Sequence, residues 1–288
     1  MNNILEDTRF LMKKYNIKAN KSLGQNFLIN QNVVDTIIHS SEINKDDLVI
    51  EIGPGLGTLT SFLLDKAGKV LCIELDKKMI GILNDRFSLY SNFEVIHQDV
   101  LKANLKEIIK EQKEMYGLNE VKIVANLPYY ITTPIIMKLL EDELDLKSIT
   151  VMIQKEVADR LIAVPGSKET GAITYTIYYY TEAEGIMEVP KESFIPEPEV
   201  TSKIIKLNIR KEPIVVVKDK DKMFKIIKSA FMQRRKTLLN ALTNSNIFIN
   251  KDEGVKILNE LNLTENVRAE NLKLENFADI SEKLSIKK

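Results

Sequence analysis

Residues 49–60 read VIEIGPGLGTLT, and this stretch decides the fold. A short apolar run ends in Glu51, three glycines fall within five residues at Gly53, Gly55 and Gly57, and the apolar segment SFLL follows at 61–64. The pattern is that of a strand turning tightly into a helix. Glycine reaches positive φ and, lacking a Cβ, lets a ligand approach the backbone. The start of the following helix offers unpaired N–H groups to an anionic ligand. The stretch therefore reads as a nucleotide-type site. Its spacing is G-x-G-x-G rather than G-x-G-x-x-G, so it does not by itself choose the nucleotide.

Working outward, strands and helices alternate. Strands are expected at 48–53, 69–75, 93–99, 121–127 and 148–154, each followed by a segment of helical apolar spacing, and a helix at 31–43 precedes the first strand. Near-continuous apolar strands in βα units point to an α/β fold with a parallel sheet covered on both faces. Segment 171–184, GAITYTIYYYTEAE, is ambiguous: its β-branched and aromatic residues favour a strand, but so short an apolar run has no decisive period. A proline-punctuated loop then leads to a final strand at 201–209, and from about 220 the pattern is helical. The expected organisation is a basic segment at 1–30, an α/β domain at 31–211 and a small all-helical C-terminal domain at 212–288.

Composition narrows the class. Of 288 residues, 44% are hydrophobic, ordinary for a water-exposed globular chain, and the apolar runs fall far short of the roughly 20 residues that span a bilayer. The first residues place acids early and form no apolar core of a signal peptide. The single cysteine, Cys72, excludes an internal disulfide, and with only His39 and His97 beside it a structural zinc site is not expected. A cytoplasmic location follows as an expectation. Cys72 and His97 read as packed strand residues, and His39 as a surface or core-edge histidine. Net charge is zero, but residues 203–236 hold twelve Lys or Arg against three acids, and residues 1–30 hold five (Arg9, Lys13, Lys14, Lys18, Lys21) against Glu6 and Asp7. Such uneven charge suits a phosphate backbone.

The chemistry-bearing residues lie at the expected strand ends. Glu74 closes the second strand, 21 residues after Gly53, where an acid can accept from both ribose hydroxyls of a nucleoside. Asp76 reads instead as a helix N-cap. Asp99 closes the third strand and reads either as an acceptor for an adenine amine or as a cap of the next helix. These acids and the glycine turn point to a nucleoside cofactor and are silent between NAD and S-adenosylmethionine. The run Asn126-Leu127-Pro128-Tyr129 follows the fourth strand. The Asn126 side-chain oxygen and the Leu127 carbonyl are acceptors for the two N–H groups of an exocyclic amine, and Tyr129 can stack on a planar base. Together they make a site for methylating an amino group on a base.

LGQNFL (23–28), EIGPGLGTLT (51–60), IELD (73–76), NLPYYITTP (126–134) and FIPEPEVTSKIIKL (194–207) stand in the same order as in the small-subunit ribosomal RNA adenine N6-dimethyltransferases. The chain resembles that family over nearly its whole length, including RRKTL (234–238) in the helical tail. The resemblance implies a class I (Rossmann-like) S-adenosylmethionine-dependent methyltransferase sheet with a small C-terminal helical domain. It implies S-adenosylmethionine as methyl donor, no metal, and dimethylation of two adjacent adenosines in a hairpin loop near the 3′ end of 16S rRNA. The partner would be 16S rRNA or the assembling 30S subunit, with the chain acting as a monomer. By matching motifs, Asn26 and Leu28 would cover the cofactor, Gly53 would approach its methionine part, Glu74 would hold the ribose and Asp99 the adenine amine. Asn126 would lie near the sulfonium methyl and the target amine, with Leu127 beside it, and Tyr129 and Phe194 would sandwich the base. The basic stretch, with Arg234, Arg235 and Lys236, would grip RNA phosphates. Two departures from the family pattern are Gln98, where glycine is frequent, and Thr132-Thr133 in place of a serine-containing pair.

The expected reaction is in-line attack by adenine N6 on the sulfonium methyl, with positioning as the main catalytic contribution and no His or Lys of the motif acting as base. Three rival readings are a 23S rRNA adenine methyltransferase of the macrolide-resistance type, a non-catalytic ribosome-assembly factor and an NAD-dependent oxidoreductase. The leucine of NLPY and the long FIPEPEVTSK run favour the small-subunit enzyme over the first, and no residue set for hydride transfer supports the last.

Overall fold

The computed structural model describes residues 3–20, 24–233 and 235–284. Lys21, Leu23 and Arg234, named above, lie outside the described residues. The chain forms two compact units, Met1–Ala158 with Glu184–Ile209, and Asp159–Ala183 with Arg210–Lys288.

The first unit begins with α1 (Ile4–Lys14), β1 (Phe27–Leu28) and α2 (Gln31–Ser40). Alternation follows through β2 (Asp47–Ile52), α3 (Thr58–Lys66), β3 (Lys69–Glu74), α4 (Lys77–Phe87), β4 (Phe93–His97), α5 (Leu105–Tyr116), β5 (Glu120–Asn126), α6 (Thr132–Glu141) and β6 (Ser148–Gln154). The chain continues through α7 (Lys155–Leu161) and α8 (Ala172–Tyr180) to β7 (Thr181–Val189), β8 (Phe194–Ile195) and β9 (Ser202–Ile209). Seven strands form one sheet in the order β4-β3-β2-β5-β6-β9-β7. Strands β2 to β6 pair in parallel, with Glu51 opposite both Cys72 and Val124, and β9 runs antiparallel to β6.

Burial explains why these segments are strands. Every residue of β2 and β3 is buried, so their continuous apolar runs meet helices on both faces. Helix α2 contributes Val33, Val34 and Ile37, and α3 contributes Leu59, Leu63 and Leu64, to a core that also holds Val49, Val70, Val124 and Met152. At the sheet edge β4 is only half-buried and its last residue, His97, is exposed. The packed reading of His97 is therefore corrected: an edge strand has no neighbour to cover it. Cys72 is fully buried, as expected.

The order reverses at β2, whose neighbours β3 and β5 lead to opposite halves of the sheet. In open α/β sheets the crevice beyond the strand ends at such a reversal is where ligands bind.

Two sequence expectations change. Residues 4–14, expected only as part of a basic segment, form α1, with the Asn3 side chain accepting from Leu5 N–H at 3.0 Å and Asp7 paired with Arg86 of α4 at 2.9 Å. Residues 172–180, where composition favoured a strand, form α8, and the strand begins only at Thr181. In its own unit the Tyr175 hydroxyl donates to the Ala269 and Leu272 carbonyls at 3.1 and 2.7 Å, and its ring meets Phe277 edge-on with centroids 5.0 Å apart. Such aromatic packing outweighs a modest intrinsic β preference.

The second unit closes with α9 (Lys220–Met232), α10 (Leu238–Asn244), α11 (Lys251–Glu260) and α12 (Leu274–Lys283) around Tyr175, Tyr179, Ile226, Leu242, Phe248 and Phe277. Residues 159–183 thus share a core with the C-terminal helices, and the division expected at 211–212 gives way to one in which the chain crosses between units three times.

Candidate active site

The glycine turn after β2 uses a backbone that only its own residues adopt easily. Gly53, Gly55 and Gly57 have φ of 66°, 58° and 82°. At Gly57 a Cβ would also meet Phe87 Cε2 at 2.5 Å, whereas at Gly53 the nearest atom would be Pro128 Cδ at 3.9 Å. Gly57 is therefore required by close packing on α4, and Gly53 by conformation and by the open space beside it.

Glu74 ends β3 and is 8% exposed. Its carboxylate accepts from the N–H groups of Leu75 and Asp76, both at 2.8 Å, and of Gly55 at 3.3 Å. Burial pushes its pKa up, against those three hydrogen bonds. Asp76 is the N-cap of α4, accepting from Lys78 N–H at 2.9 Å, as the sequence suggested. Asp99 accepts from Leu101 N–H at 3.0 Å, so it caps a turn while α5 is capped by Asn104.

Glu51, at the end of the opening apolar run, is almost wholly buried. It accepts from Thr60 Oγ1 at 2.6 Å and from Cys72 Sγ at 3.6 Å. Burial raises its pKa to about 7, against the pull of those two hydrogen bonds. Burial likewise raises the Cys72 thiol well above its ordinary value.

On the other side of the reversal, Asn126 is the last residue of β5. Its Nδ2 donates to the Asn26 backbone carbonyl at 3.1 Å, which fixes the amide orientation and leaves Oδ1 as its acceptor end. Leu127 N–H donates to the Met152 carbonyl at 3.1 Å, tying the loop to β6. The Tyr129 hydroxyl shares a 2.6 Å hydrogen bond with Ser202 Oγ of β9, and burial raises its pKa. The N-terminal strap is held by β1–β8 pairing, with Phe27 opposite Ile195 and Leu28 opposite Phe194. Gln25 donates to Asp76 Oδ2 at 3.1 Å.

One open cleft joins these groups. Asn26, Leu28, Gly53, Glu74, Asp99, Asn126, Leu127 and Tyr129 all line it, with Glu51, Gln25 and Tyr130. Across the order β4-β3-β2-β5, Asp99, Glu74, Gly53 and Asn126 follow successive strand ends. At about 4.8 Å per strand the row spans roughly 14 Å, the reach of an extended nucleoside with a side arm. Among the described residues, neither Lys nor His lines the cleft.

Phe194 is not brought to it. The ring is 1% exposed and sits in the core with Leu28 and Val189. Arg235 and Lys236 are exposed between α9 and α10 of the second unit. Sequence reasoning passed over Ser202, Gln25 and Tyr130, although Ser202 stands inside the FIPEPEVTSK run; their partners are too distant in sequence to be read locally. Among the described residues, no cluster of three or more His, Cys, Asp or Glu is arranged to hold a metal, and no helix is long and apolar enough to cross a membrane.

Known proteins share both the sequence and the fold. The chain is 47% identical over 279 residues to a ribosomal RNA small subunit methyltransferase A of Bacillus licheniformis, covering 96% of this chain and 95% of that one. A dimethyladenosine transferase from Plasmodium falciparum superposes with a TM-score of 0.72 at 27% identity, covering 88% of this chain and 95% of the other. The 23S rRNA methyltransferase ErmE superposes with a TM-score of 0.69 at 24% identity over 90% and 99% of the two chains, a likeness of fold. The family model for ribosomal RNA adenine dimethylase matches residues 16–285, nearly the whole chain, and the protein belongs to that family.

Proposed function

We propose that this chain dimethylates adenine N6 in small-subunit (16S) ribosomal RNA, using S-adenosylmethionine, with the assembling 30S subunit as its partner. The target follows the relatives: the chain is close to proteins named for the small subunit, at 47% identity, while the 23S enzyme shares its fold. The observation that carries the chemistry is Asn126. Its amide is anchored through Nδ2 on the Asn26 carbonyl, so its oxygen is offered to the cleft next to Leu127, a residue followed by a proline.

The residues present fit an S-adenosylmethionine. Gly53 adds no Cβ to the cleft, Glu74 lines it with Gly55 N–H donating to Oε2 at 3.3 Å, and Asp99 lines it beyond the end of β4. Glu74 would accept from the ribose hydroxyls, Asp99 from the adenine amine, and the backbone near Gly53 would meet the methionine part. When bound, this cofactor supplies an electrophilic methyl group on a positively charged sulfur.

The chain's own work is positioning. Asn126 Oδ1 and the Leu127 carbonyl accept the two N6 hydrogens, which draws the amine toward a pyramidal geometry and turns its lone pair toward the methyl. Tyr129, steadied by Ser202, offers a face to the base. Among the described residues neither Lys nor His lines the cleft, and the product ammonium can lose its proton to water. Holding two reactants in line accounts for several orders of magnitude in rate. A stacked or paired adenine must first be extruded.

Asn126→Ala keeps S-adenosylmethionine binding by calorimetry and lowers tritiated-methyl transfer to undermethylated 30S subunits by about 100-fold or more. Wild-type transfer by this variant refutes the assignment. Mass spectrometry of the product decides the target: dimethyladenosine in 23S rather than 16S rRNA overturns the small-subunit reading.

A further inference from the structure

We infer that Tyr130 is an aromatic platform at the cleft mouth, on which the RNA base flanking the methylated adenosine stacks; this rests on the rRNA methyltransferase reading above. Tyr130 lines the cleft yet is 55% exposed, unlike its neighbour Tyr129, which is half-buried and tied to Ser202. An exposed aromatic ring beside the cleft is a face on which a nucleic-acid base can stack.

The ring is held in place. Its edge lies against Gly24, where a Cβ would come within 3.3 Å of Tyr130 Cδ1 and 3.5 Å of Cε1. Gly24 has φ of 62°, a conformation favouring glycine, and the same absent Cβ would touch Pro128 at 3.6 Å. The strap residue therefore leaves space for the ring, and no ring–ring pairing with another described residue covers it.

The position selects the occupant. Glu74 ends β3 and Asp99 follows β4, whereas Tyr130 follows β5 on the Asn126 side, so the cofactor's nucleoside would lie at the opposite end of the row. The target amine must reach Asn126 and Leu127, and Leu127 is 1% exposed. That base is committed to the interior with Tyr129, and the exposed ring is left one step further out, where the next nucleotide passes. Phe194, buried in the core, offers it no competing aromatic surface.

The test measures equilibrium binding of the full-length protein to undermethylated 30S subunits with S-adenosylhomocysteine present, alongside methyl-transfer kinetics. Tyr130→Ala weakens Kd and raises KM about tenfold, the scale of one base–aromatic stack; Tyr130→Leu recovers little, and Tyr130→Phe restores affinity. The loss falls on KM rather than kcat, and calorimetry with S-adenosylmethionine reports an intact cofactor site in each variant. Equal affinity of the Ala and Phe variants overturns the inference, and so does a loss confined to kcat, which would put the ring on the target base. If the unsubstituted protein transfers no methyl to these subunits, the methyltransferase reading fails, while the order Phe above Leu above Ala in binding still reports the stack.

Discussion

Replacing Glu51 by glutamine tests the electrostatics beneath the glycine turn. The carboxyl is 2% exposed and its pKa is raised to about 7 from an ordinary 4.5, chiefly by burial. The folded protein therefore holds this proton through a range of pH in which the unfolded chain releases it. From about pH 4.5 to 7 the folded state binds more protons, so stability falls as pH rises, and the loss is complete above pH 7. At about 1.4 kcal/mol per pH unit, the gap is worth roughly 3 kcal/mol. Glutamine has no such titration. Its second amide hydrogen lacks a partner beside Thr60 and Cys72, a cost of about 1–3 kcal/mol that is the same at every pH. Urea unfolding followed by far-UV circular dichroism at pH 5.0, 6.5 and 8.0 measures the difference, because all other titrating groups are common to both proteins. Between pH 5 and 8 the wild type should lose roughly 3 kcal/mol more than Glu51→Gln. Parallel stability curves would refute a protonated, buried Glu51.

Gly57→Ala adds both a left-handed penalty of about 1–2 kcal/mol and overpacking against Phe87 of about 1–3 kcal/mol, whereas Gly53→Ala, with its nearest atom at 3.9 Å, adds only the first. Urea midpoints should rank wild type, Gly53→Ala, then Gly57→Ala, and equal shifts would show that close packing at Gly57 is not the cause. Neutralising Arg234, Arg235 and Lys236 together should weaken 30S binding and reduce the log–log salt slope by about 2–3; an unchanged slope would return these residues to an ordinary solvated surface.

Much of the site was legible because its demands are local. A turn with three positive φ values restricts its residues whatever surrounds it, and G-x-G-x-G announced it. Buried parallel strands need continuous apolar runs, which placed β2, β3, β5 and β6 within a residue or so of their observed bounds. Glu74 and Asn126 followed as the polar residues at strand ends. Residues 172–180 went the other way, because β-branched and aromatic composition describes a packed surface as well as a strand. Only the carbonyls of Ala269 and Leu272 and the ring of Phe277 show which.

The sequence by itself determined the α/β class, the glycine turn, the acids Glu74 and Asp99 at the strand ends and the Asn126–Tyr129 run, all set by short-range backbone geometry and period. The tertiary structure decided what each polar group has left to offer. Asn126 is oriented by Asn26, 100 positions away, and Tyr129 by Ser202, 73 positions away. It also removed Phe194 into the core and left Tyr130 at the mouth. Hydrogen bonding and burial at these residues are properties of pairs brought together by folding, and no window of the chain contains both members.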